Sequence, residues 1–289
     1  SFLEGGYSID IAEGTHPDRM TKVVAEFDRR LGANWAVKAR GVYTKHSNML
    51  EDLAMFDYEG LTYVLQNWDA KRRSYLGLEL EVQGRIADKF FLNGSYVWSK
   101  AQGTTLGAYE AFDNYQGSAY NTVGIFGDHF SGPADSEWAW LGPLTAGFGG
   151  LDYGDEGWYG PLQDSCDHVV KLLGTWMAPY GFIVSSAFQW YNGYRWSIHG
   201  WHAAYGMYAT FPYGRGTEKY PAHTYVDLTV QKDFQLSSGL AFALRVNINN
   251  LFNSQQIVSY ANGEGSAIYG QVYGRQFPRW IQFQVMLRF

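Results

Sequence analysis

The sequence predicts an all-β protein, an antiparallel up-and-down transmembrane β-barrel segment of about nine or ten strands. Apolar and polar residues alternate with a period of two in stretch after stretch, which is typical of strands with two different faces. The connections between these stretches alternate between short and long. A high aromatic content, 18% of 289 residues, beside 34 glycines also favours strands over helices.

Nine stretches of this alternation follow one another along the chain. The clearest is SYLGLELEVQGR (74–85), in which leucines at every second position are separated by polar residues or glycine. The other eight are MTKVVAEFDRR (20–30), WAVKARGVY (35–43), FFLNGSYVW (90–98), DHVVKLLGTW (167–176), FIVSSAFQWY (182–191), YVDLTVQKDF (225–234), LAFALRVNI (240–248) and RWIQFQVMLRF (279–289).

The connections between the nine stretches are of two kinds. The short ones are residues 31–34, 86–89, 178–181 and 236–239, and the long ones are 47–71, 101–167, 197–222 and 254–278. Tight turns at one end and long loops at the other are typical of outer-membrane barrels, whose turns are periplasmic and whose loops are extracellular. Residues 101–167 are therefore predicted to be a long extracellular loop.

Alternation does not by itself say which face is inside. In a soluble sandwich the leucines form the core, whereas in a membrane barrel they contact lipid and the polar residues line the lumen. Strands of about ten residues exceed the usual five or six of globular proteins and favour the barrel. The predicted interfacial aromatics near strand ends are Trp35, Tyr43, Tyr96, Trp98, Trp176, Trp190 and Trp280. The predicted inward charges, which line a plug-filled lumen or a solvated wall, are Glu26, Asp28, Lys38, Arg40, Glu79, Glu81, Lys171, Asp227 and Arg245.

Charge and cysteine content exclude several classes of function. The net charge of −6 gives no basic stripe for nucleic acid, so no nucleic-acid partner is predicted. The one cysteine, Cys166, forms no internal disulfide and fits no metal-binding spacing. The chain has no apolar run of 18 residues, and its amino end does not have the pattern of a signal peptide.

The strand count raises a question of closure. A complete bacterial single-chain barrel has an even number of strands, and nine is odd. Either residues 2–11 form a weak tenth strand, or the chain is the carboxy-terminal part of a larger barrel. In the second case residues 1–19 belong to an extracellular loop.

Four segments, in order, resemble the end of a TonB-dependent outer-membrane transporter of the Oar-like branch. They are THPDRMTKVVAEFDRRLGANWAVKARGVY (15–43), RRSYLGLELEVQGRIADKFFLNGSYVWSK (72–100), DHVVKLLGTWMAPYGFIVSSAFQWYNG (167–193) and NINNLFN (247–253). The resemblance implies a 22-stranded barrel with a plug, of which residues 1–289 are a carboxy-terminal part without the plug or the first barrel half.

The resemblance also implies a location and partners. The protein is expected in the bacterial outer membrane, in contact with lipid and lipopolysaccharide and with the remaining barrel segment. The TonB–ExbB–ExbD complex acts through a plug that is not in this chain. The terminal aromatic, Phe289, is expected to be part of the signal read by the barrel-assembly machinery. No cofactor is expected.

Ligand binding is predicted in the long loops. The segment GYRWSIHGWHAAYGMYATFPYGRG (193–216) concentrates aromatic side chains, which either stack against a substrate or pack together as a small core of the loop. The predicted substrate-binding residues are Tyr194, Trp196, Trp201, Tyr205, Tyr208 and Phe211. An acidic segment offers calcium ligands at Asp152, Asp155 and Glu156, but it lacks the spacing of a calcium-binding loop, so a solvated loop is preferred.

Two other classes of function remain open. A ten-stranded outer-membrane hydrolase or protease would use Asp and His at loop bases, for which Asp128, His129, His199 and His202 are the candidates. No G-x-S-x-G or H-E-x-x-H motif is present, so no catalytic residue is predicted. A non-transporting surface adhesin or export partner is the other alternative.

Overall fold

The computed structural model describes residues 8–57, 60–67, 71–104, 159–202, 207–237 and 240–288. They form strands and loops, with a short 3₁₀ turn at Pro179–Gly181. The strands are β1 (Ser8–Ile11), β2 (Arg19–Leu31), β3 (Trp35–Ser47), β4 (Leu50–Asp57), β5 (Gly60–Asn67), β6 (Arg73–Ile86), β7 (Phe90–Gly103), β8 (Gly160–Pro161), β9 (His168–Ala178), β10 (Phe182–Tyr191), β11 (Arg195–Trp196), β12 (Gly200–His202), β13 (Met207–Thr210), β14 (Glu218–Lys219), β15 (His223–Ser237), β16 (Leu240–Asn249), β17 (Ile257–Tyr260), β18 (Val272–Arg275) and β19 (Trp280–Arg288). Within the described ranges, no helix is long and apolar enough to cross a membrane.

The nine predicted strands are the long strands of one sheet. They lie side by side in the order β2-β3-β6-β7-β9-β10-β15-β16-β19, and the two-residue β8 is added to the end of β7. Each neighbouring pair in this order is antiparallel. The prediction of an up-and-down antiparallel sheet is therefore confirmed.

The predicted alternation of connections is present in the sheet. Three-residue turns join β2 to β3, β6 to β7 and β9 to β10, whereas the connections from β3, β7, β10 and β16 to the next long strand are much longer. The end of the sheet with tight turns is called the short-turn end below, and the opposite end the loop end. Strand β7 continues to Gly103, so the long connection after it begins later than residue 101.

The strand register gathers the apolar residues on one face. Val82 lies opposite Gly94, Gly94 lies opposite Leu172, and Leu172 lies opposite Phe188, which continues the row across four strands. Because paired residues point to the same side of a sheet, these rows form a continuous apolar face. Its large side chains are exposed to the surroundings along β2, β6, β9 and β19. The alternate residues form a polar face.

The sheet has two open edges among the described strands. Strand β2 pairs only with β3, and β19 pairs only with β16, so the nine strands are not closed on themselves. Every residue of β2 is exposed. Unpaired strand edges are normally covered or paired in folded proteins.

A second, smaller sheet lies in a region predicted as loop. Strands β4 and β5 form a hairpin, and β1 pairs with β5 in parallel. Residues 8–11 therefore form a strand but do not add a tenth strand to the main sheet. The small sheet is tied to its neighbours where Asn67 Oδ1 accepts a 2.7 Å hydrogen bond from the His16 amide and Asp18 Oδ1 accepts one of 2.7 Å from the Leu50 amide. The sequence LEDLAMFD of β4 has no period-two alternation, which is why the hairpin was not predicted.

Two glycines of the apolar face give a matched test of packing across the ladder. The Trp35 ring covers Gly84, its partner on the next strand, and a Cβ at position 84 would collide with that ring. Gly174 lies two strands away in the same row, and a Cβ there would meet no atom within 4 Å. We expect Gly84→Ala to destabilise the protein by about 1–3 kcal/mol, as overpacking does, and Gly174→Ala to be neutral or slightly stabilising.

Denaturant-unfolding midpoints of the two variants, compared with the unsubstituted protein, measure this difference. Equal midpoints for the two variants would show that Trp35 does not pack over Gly84.

Candidate functional site

The described loops at the loop end pack into one layer, called the loop layer below. Its described residues are 159–167, 192–202, 207–222 and 250–279, which follow or precede the long strands β7, β9, β10, β15, β16 and β19. Short ladders hold it together: β11 with β14, β12 with β13, and β17 with β18. Isolated bridges join Cys166 to Tyr194 and His199 to Gly263. Loops distant in sequence thus form a single surface.

Close backbone contacts within the loop layer require glycine. Gly216 adopts φ +62°, and a Cβ there would collide with the carbonyl oxygen of Pro161. Gly193 adopts φ +97°, and a Cβ there would collide with the carbonyl oxygen of Tyr220. Residues that carry a Cβ rarely adopt a positive φ. Gly216 therefore allows the β10–β15 connection to approach Pro161, and Gly193 allows the two ends of the β10–β15 connection to approach each other.

A charge cluster joins three loop segments. The Asp167 carboxylate accepts hydrogen bonds from Arg195 Nη2 at 2.7 Å and from Lys219 Nζ at 2.5 Å. Burial alone would raise the pKa of Asp167, but the hydrogen bonds from the two cations outweigh burial and the pKa is lowered. Arg195 Nη1 also donates to the carbonyl oxygen of Gly216 at 3.3 Å. The cluster therefore holds Asp167, the residue before β9, against Arg195 of β11 and Lys219 of β14.

An aromatic cluster forms the interior of the loop layer. The Trp196 ring stacks on Tyr220 with ring centroids 5.6 Å apart, and both rings lie 5.7 Å from Tyr260. Burial raises the pKa of Tyr220 to about 12. Tyr194 stacks on Tyr191 at 5.5 Å, and burial likewise raises its pKa to about 12. Trp196 thus packs against Tyr220 of its own connection and Tyr260 of the β16–β19 connection, and Tyr194 packs against the end of β10. These contacts support the second of the two predicted roles for the aromatic residues.

The remaining predicted substrate-binding residues differ in position. Phe211 is half-buried, with its ring 5.1 Å from that of His199 and the Arg215 guanidinium 5.1 Å above it. The backbones of Trp201 and Tyr208 belong to β12 and β13, where they lie opposite each other. Tyr205 lies outside the described residues. The binding role of these six residues stays a prediction.

Exposed tyrosines on the loop layer come from two connections. Tyr213, on the β10–β15 connection, is 56% exposed and donates a hydrogen bond of 2.7 Å to Glu264 Oε1 on the β16–β19 connection. That hydrogen bond is the main cause of the raised pKa of Tyr213. Tyr269 and Tyr273, also exposed, lie on the second connection. Tyr269 and Tyr273 were not predicted as site residues. The signal that could have found them is the one used for segment 193–216, namely several aromatic residues in a long, glycine-rich loop.

Of the four residues considered for catalysis, the structure describes only His199 and His202, and it shows no catalytic pair between them. His199 is buried, and burial together with the positive charge of Arg215 lowers its pKa to about 4, so the ring is neutral at pH 7. His202 belongs to β12. Asp128 and His129 lie outside the described residues, as do Asp152, Asp155, Glu156 and Phe289. Among the residues whose structure is described, no three His, Cys, Asp or Glu side chains are placed to hold a metal ion.

The predicted inward charges lie on the polar face, and some of them pair across strands. Lys38 Nζ lies 2.9 Å from Glu26 Oε1 on the neighbouring strand. Arg40 forms an ion pair with Glu79 on its other side. Arg245 Nε donates a hydrogen bond of 2.8 Å to Gln231. The polar face is thus a charge-balanced wall in the middle of these strands.

Most of the predicted interfacial aromatics lie on the apolar face. Trp35 follows a short turn, and Trp176 lies near another, stacked on Phe90 at 5.7 Å. Trp98, Tyr96 and Trp190 are nearer the loop end, where Trp98 lies opposite His168. Their interfacial role stays a prediction. Trp280 pairs with Asn249 and alternates with Ile281, which puts it on the polar face, and its interfacial role likewise stays a prediction.

Solved outer-membrane receptors have the same fold. The outer membrane transporter YddB from Escherichia coli is similar with a TM-score of 0.61 and 11% identity, over 99% of this chain and 34% of that one. A point mutant of the ferric enterobactin receptor PfeA from Pseudomonas aeruginosa is similar with a TM-score of 0.53 and 13% identity, over 95% of this chain and 31% of that one. The FpvAI receptor in its complex with pyocin S2 has a TM-score of 0.52 and 11% identity, over 95% and 27%.

The chain spans about a third of the length of these receptors. No protein-family model matches it, and no curated protein sequence matches it. The narrower similarity to the Oar-like branch stays a prediction. The nine-stranded antiparallel sheet, with its apolar face, its polar face and its loop layer, therefore has the fold of part of these outer-membrane transporters and receptors.

Proposed function

We propose that this chain is the barrel segment of an outer-membrane, TonB-dependent transporter that takes up a scarce substrate. The observation that carries the proposal is the nine-stranded meander, which matches an outer membrane transporter over 99% of this chain. The similar solved structures are described as transporters and receptors, which supports transport rather than catalysis. The proposed location is the bacterial outer membrane.

The two faces of the sheet have different proposed environments. The apolar face contacts lipid, because its leucines and aromatics form continuous rows across the strands. The polar face lines the lumen, because its ionised side chains would be costly in an apolar core but are tolerated beside water or a polar plug. Further barrel strands pair with the open edges of β2 and β19, and a plug coupled to TonB gates passage.

The loop layer is the proposed capture surface. Its buried aromatic cluster and the Asp167 charge cluster hold the loops in one arrangement. Its exposed tyrosines, Tyr213, Tyr269 and Tyr273, then present rings to ligand without the entropic cost of ordering a free loop. Trp201, Tyr205, Tyr208 and Phe211 are proposed to extend this surface.

A pair of lysine substitutions tests which face contacts lipid. Leu80 is in the middle of β6 on the apolar face, opposite Tyr96, whereas Ser95 is beside Tyr96 on the polar face, opposite Glu81. In lipid vesicles, Leu80→Lys is expected to lower the free energy of unfolding by about 2–4 kcal/mol, because it puts a charge among acyl chains. Ser95→Lys is expected to change it by less than about 1 kcal/mol, since Glu81 and water remain available.

Urea titrations of both variants in the same vesicles measure the difference. A loss for Leu80→Lys that is no larger than the loss for Ser95→Lys would show that the apolar face does not contact acyl chains and would contradict the proposed orientation.

Uptake by cells tests whether the protein is a transporter. Similar receptors are described as binding ferric enterobactin and pyoverdines, so iron-55 complexes of these two siderophores are the first probes. Cells carrying the complete protein are expected to accumulate at least one of them, and deletion of TonB is expected to abolish accumulation while leaving surface binding intact. Accumulation that is equal with and without TonB would contradict the mechanism.

The same probes test the exposed tyrosines. Replacing Tyr213, Tyr269 and Tyr273 together by Ala is expected to weaken surface binding about tenfold or more, because each aromatic contact contributes about 0.5–1.5 kcal/mol. Tyr180→Ala is the matched control, since Tyr180 is 88% exposed but lies on a short turn at the other end of the sheet. Equal losses in both variants would argue against capture at the loop layer.

Protonation of Asp167 is expected to loosen the loop layer. The lowered pKa means that the hydrogen-bonded carboxylate stabilises the folded loops above the ordinary value of 3.8, and that this contribution is lost as the pH falls through the lowered folded value. Asp167→Asn is therefore expected to cost about 1–3 kcal/mol of loop stability at pH 7 and progressively less in acid.

Hydrogen exchange of peptides containing Arg195 and Lys219 measures this effect. Asp88→Asn removes an exposed carboxylate at the short-turn end and is expected to leave these peptides unchanged. A difference between Asp167→Asn and the unsubstituted protein that persists undiminished in acid would assign the stabilisation to another group.

A further inference from the structure

The apolar face carries charges of one sign only. The carboxylates of the nine long strands all lie on the polar face, namely Glu26, Asp28, Glu79, Glu81, Asp227 and Asp233. The apolar face carries cations instead, and they lie towards the strand ends. Arg29 and Lys232 lie towards the short-turn end, and a group of four lies at the loop end.

The four loop-end cations come from neighbouring strands and are called the basic patch below. They are Arg19 on β2, Lys45 on β3, Arg72 just before β6 and Lys100 on β7. Lys45 lies opposite Ser74, and Lys100 lies opposite Leu76, two residues further along the same strand. Arg72 is two residues from Ser74 on the other side, and its backbone continues the ladder to Thr104. All four side chains are exposed, and they lie within three strand spacings, about 15 Å.

Aromatic rings border the basic patch. The Arg72 guanidinium carbon lies 4.6 Å from the centre of the Tyr159 ring, and Lys100 Nζ lies 5.9 Å from the centre of the Trp98 ring. Leu76, Leu78 and Leu80 continue from the patch along β6, and all three are exposed. The surface therefore offers cations and rings at one level and aliphatic side chains below them.

The carboxylates described near the basic patch are engaged elsewhere. None of the described carboxylates forms an ion pair with the four cations. Asp18 adjoins Arg19 in sequence, but its Oδ1 accepts a hydrogen bond of 2.7 Å from the Leu50 amide. Asp167, also at the loop end, is bound by two other cations and has its backbone paired with Ser99 on the polar-face row. The patch therefore presents positive charge to its surroundings.

The other five long strands differ at the same level. Among their described residues, the apolar face at the loop end carries Trp190, Thr224 and Ile248 rather than lysine. Arg279, just before β19, donates a hydrogen bond of 3.4 Å to the carbonyl oxygen of Leu251. Cations that served only to mark a membrane boundary would be spread over all nine strands. Their concentration on β2, β3, β6 and β7 indicates one bound molecule.

Charge and spacing select the headgroup of that molecule. Phosphates bind Lys and Arg through charge-assisted hydrogen bonds. One phosphate cannot reach across three strand spacings, so the basic patch matches a headgroup with two separated phosphates. Lipopolysaccharide has such a headgroup, because its lipid A carries a phosphate at each end of a disaccharide. Its acyl chains match the exposed leucines of β6.

We propose that β2, β3, β6 and β7 bind one lipopolysaccharide molecule, with the phosphates of lipid A on the basic patch and acyl chains along the leucines of β6. The proposal rests on the proposed function in two respects, namely that the apolar face contacts lipid and that the loop end is extracellular. It goes beyond that function because it assigns one particular lipid to four particular strands.

Lipid binding by the purified complete protein tests the site. Native mass spectrometry counts the bound molecules during titration with diphosphoryl lipid A, monophosphoryl lipid A or phosphatidylglycerol. Diphosphoryl lipid A is expected to bind one per protein and about tenfold more tightly than the other two lipids, since each of these lacks the second phosphate. Replacing Lys45, Arg72 and Lys100 together by Gln is expected to weaken binding of diphosphoryl lipid A by about tenfold or more.

Two control variants separate a specific site from general charge. Arg29→Gln with Lys232→Gln removes the apolar-face cations of the short-turn end and is expected to leave the affinity unchanged. Lys45→Arg with Lys100→Arg keeps the charges and is expected to retain binding, while the urea midpoint reports folding for every variant. Equal affinity for the three lipids, or an equal loss in the short-turn and loop-end Gln variants, would overturn the proposal.

The lipid titration needs neither substrate nor TonB, so its result is independent of uptake. Selective binding of diphosphoryl lipid A by a protein without uptake would keep the lipid site and remove the transporter proposal. Uptake by a protein that does not distinguish the three lipids would do the opposite.

Discussion

The register of the antiparallel ladder is the constraint on which the rest of the structure depends. Residues that pair across strands share a face, so a slip of one residue on any strand would exchange its apolar and polar sets. The row Val82, Gly94, Leu172 and Phe188 shows that the register is kept from β6 to β10. Because the same register puts Arg40 opposite Glu79 and brings Lys38 beside Glu26, the apolar rows and the ion pairs reinforce each other.

The sheet also determines what the loops can do. Four long connections leave from one end, so segments far apart in sequence begin within a few strand spacings of each other. Their contacts then need unusual backbone at Gly193 and Gly216 and a carboxylate, Asp167, shared by two cations. A loop layer held in this way is an ordered surface, so the conformational entropy of its loops has already been lost on folding.

Local alternation was sufficient to predict the nine long strands, their order and the two kinds of connection, because each strand carries its own period-two signal. It was insufficient where the signal is long-range or weak. The β4–β5 hairpin has no alternation in β4, and β1 is a strand only because β5 lies beside it. Composition likewise identified Trp196 as a loop aromatic, but only the packing of Tyr220 and Tyr260 around it shows that the ring is internal.

The polar face changes in character along the strands, and this change follows from the order of charges on only three of them. On β2 the polar positions run Glu26, Asp28, Arg30 towards the short turn, while on β3 they run Arg40, Lys38, Ala36. Opposite signs therefore face each other until the last row, where Ala36 leaves Arg30 without a charged partner across the ladder. Strand β6 repeats the pattern, with Glu79 and Glu81 giving way to Gln83 and Arg85. The charged rows therefore depend on the same register as the apolar rows, because a slip of one residue between β2 and β3 would separate Glu26 from Arg40 and Asp28 from Lys38.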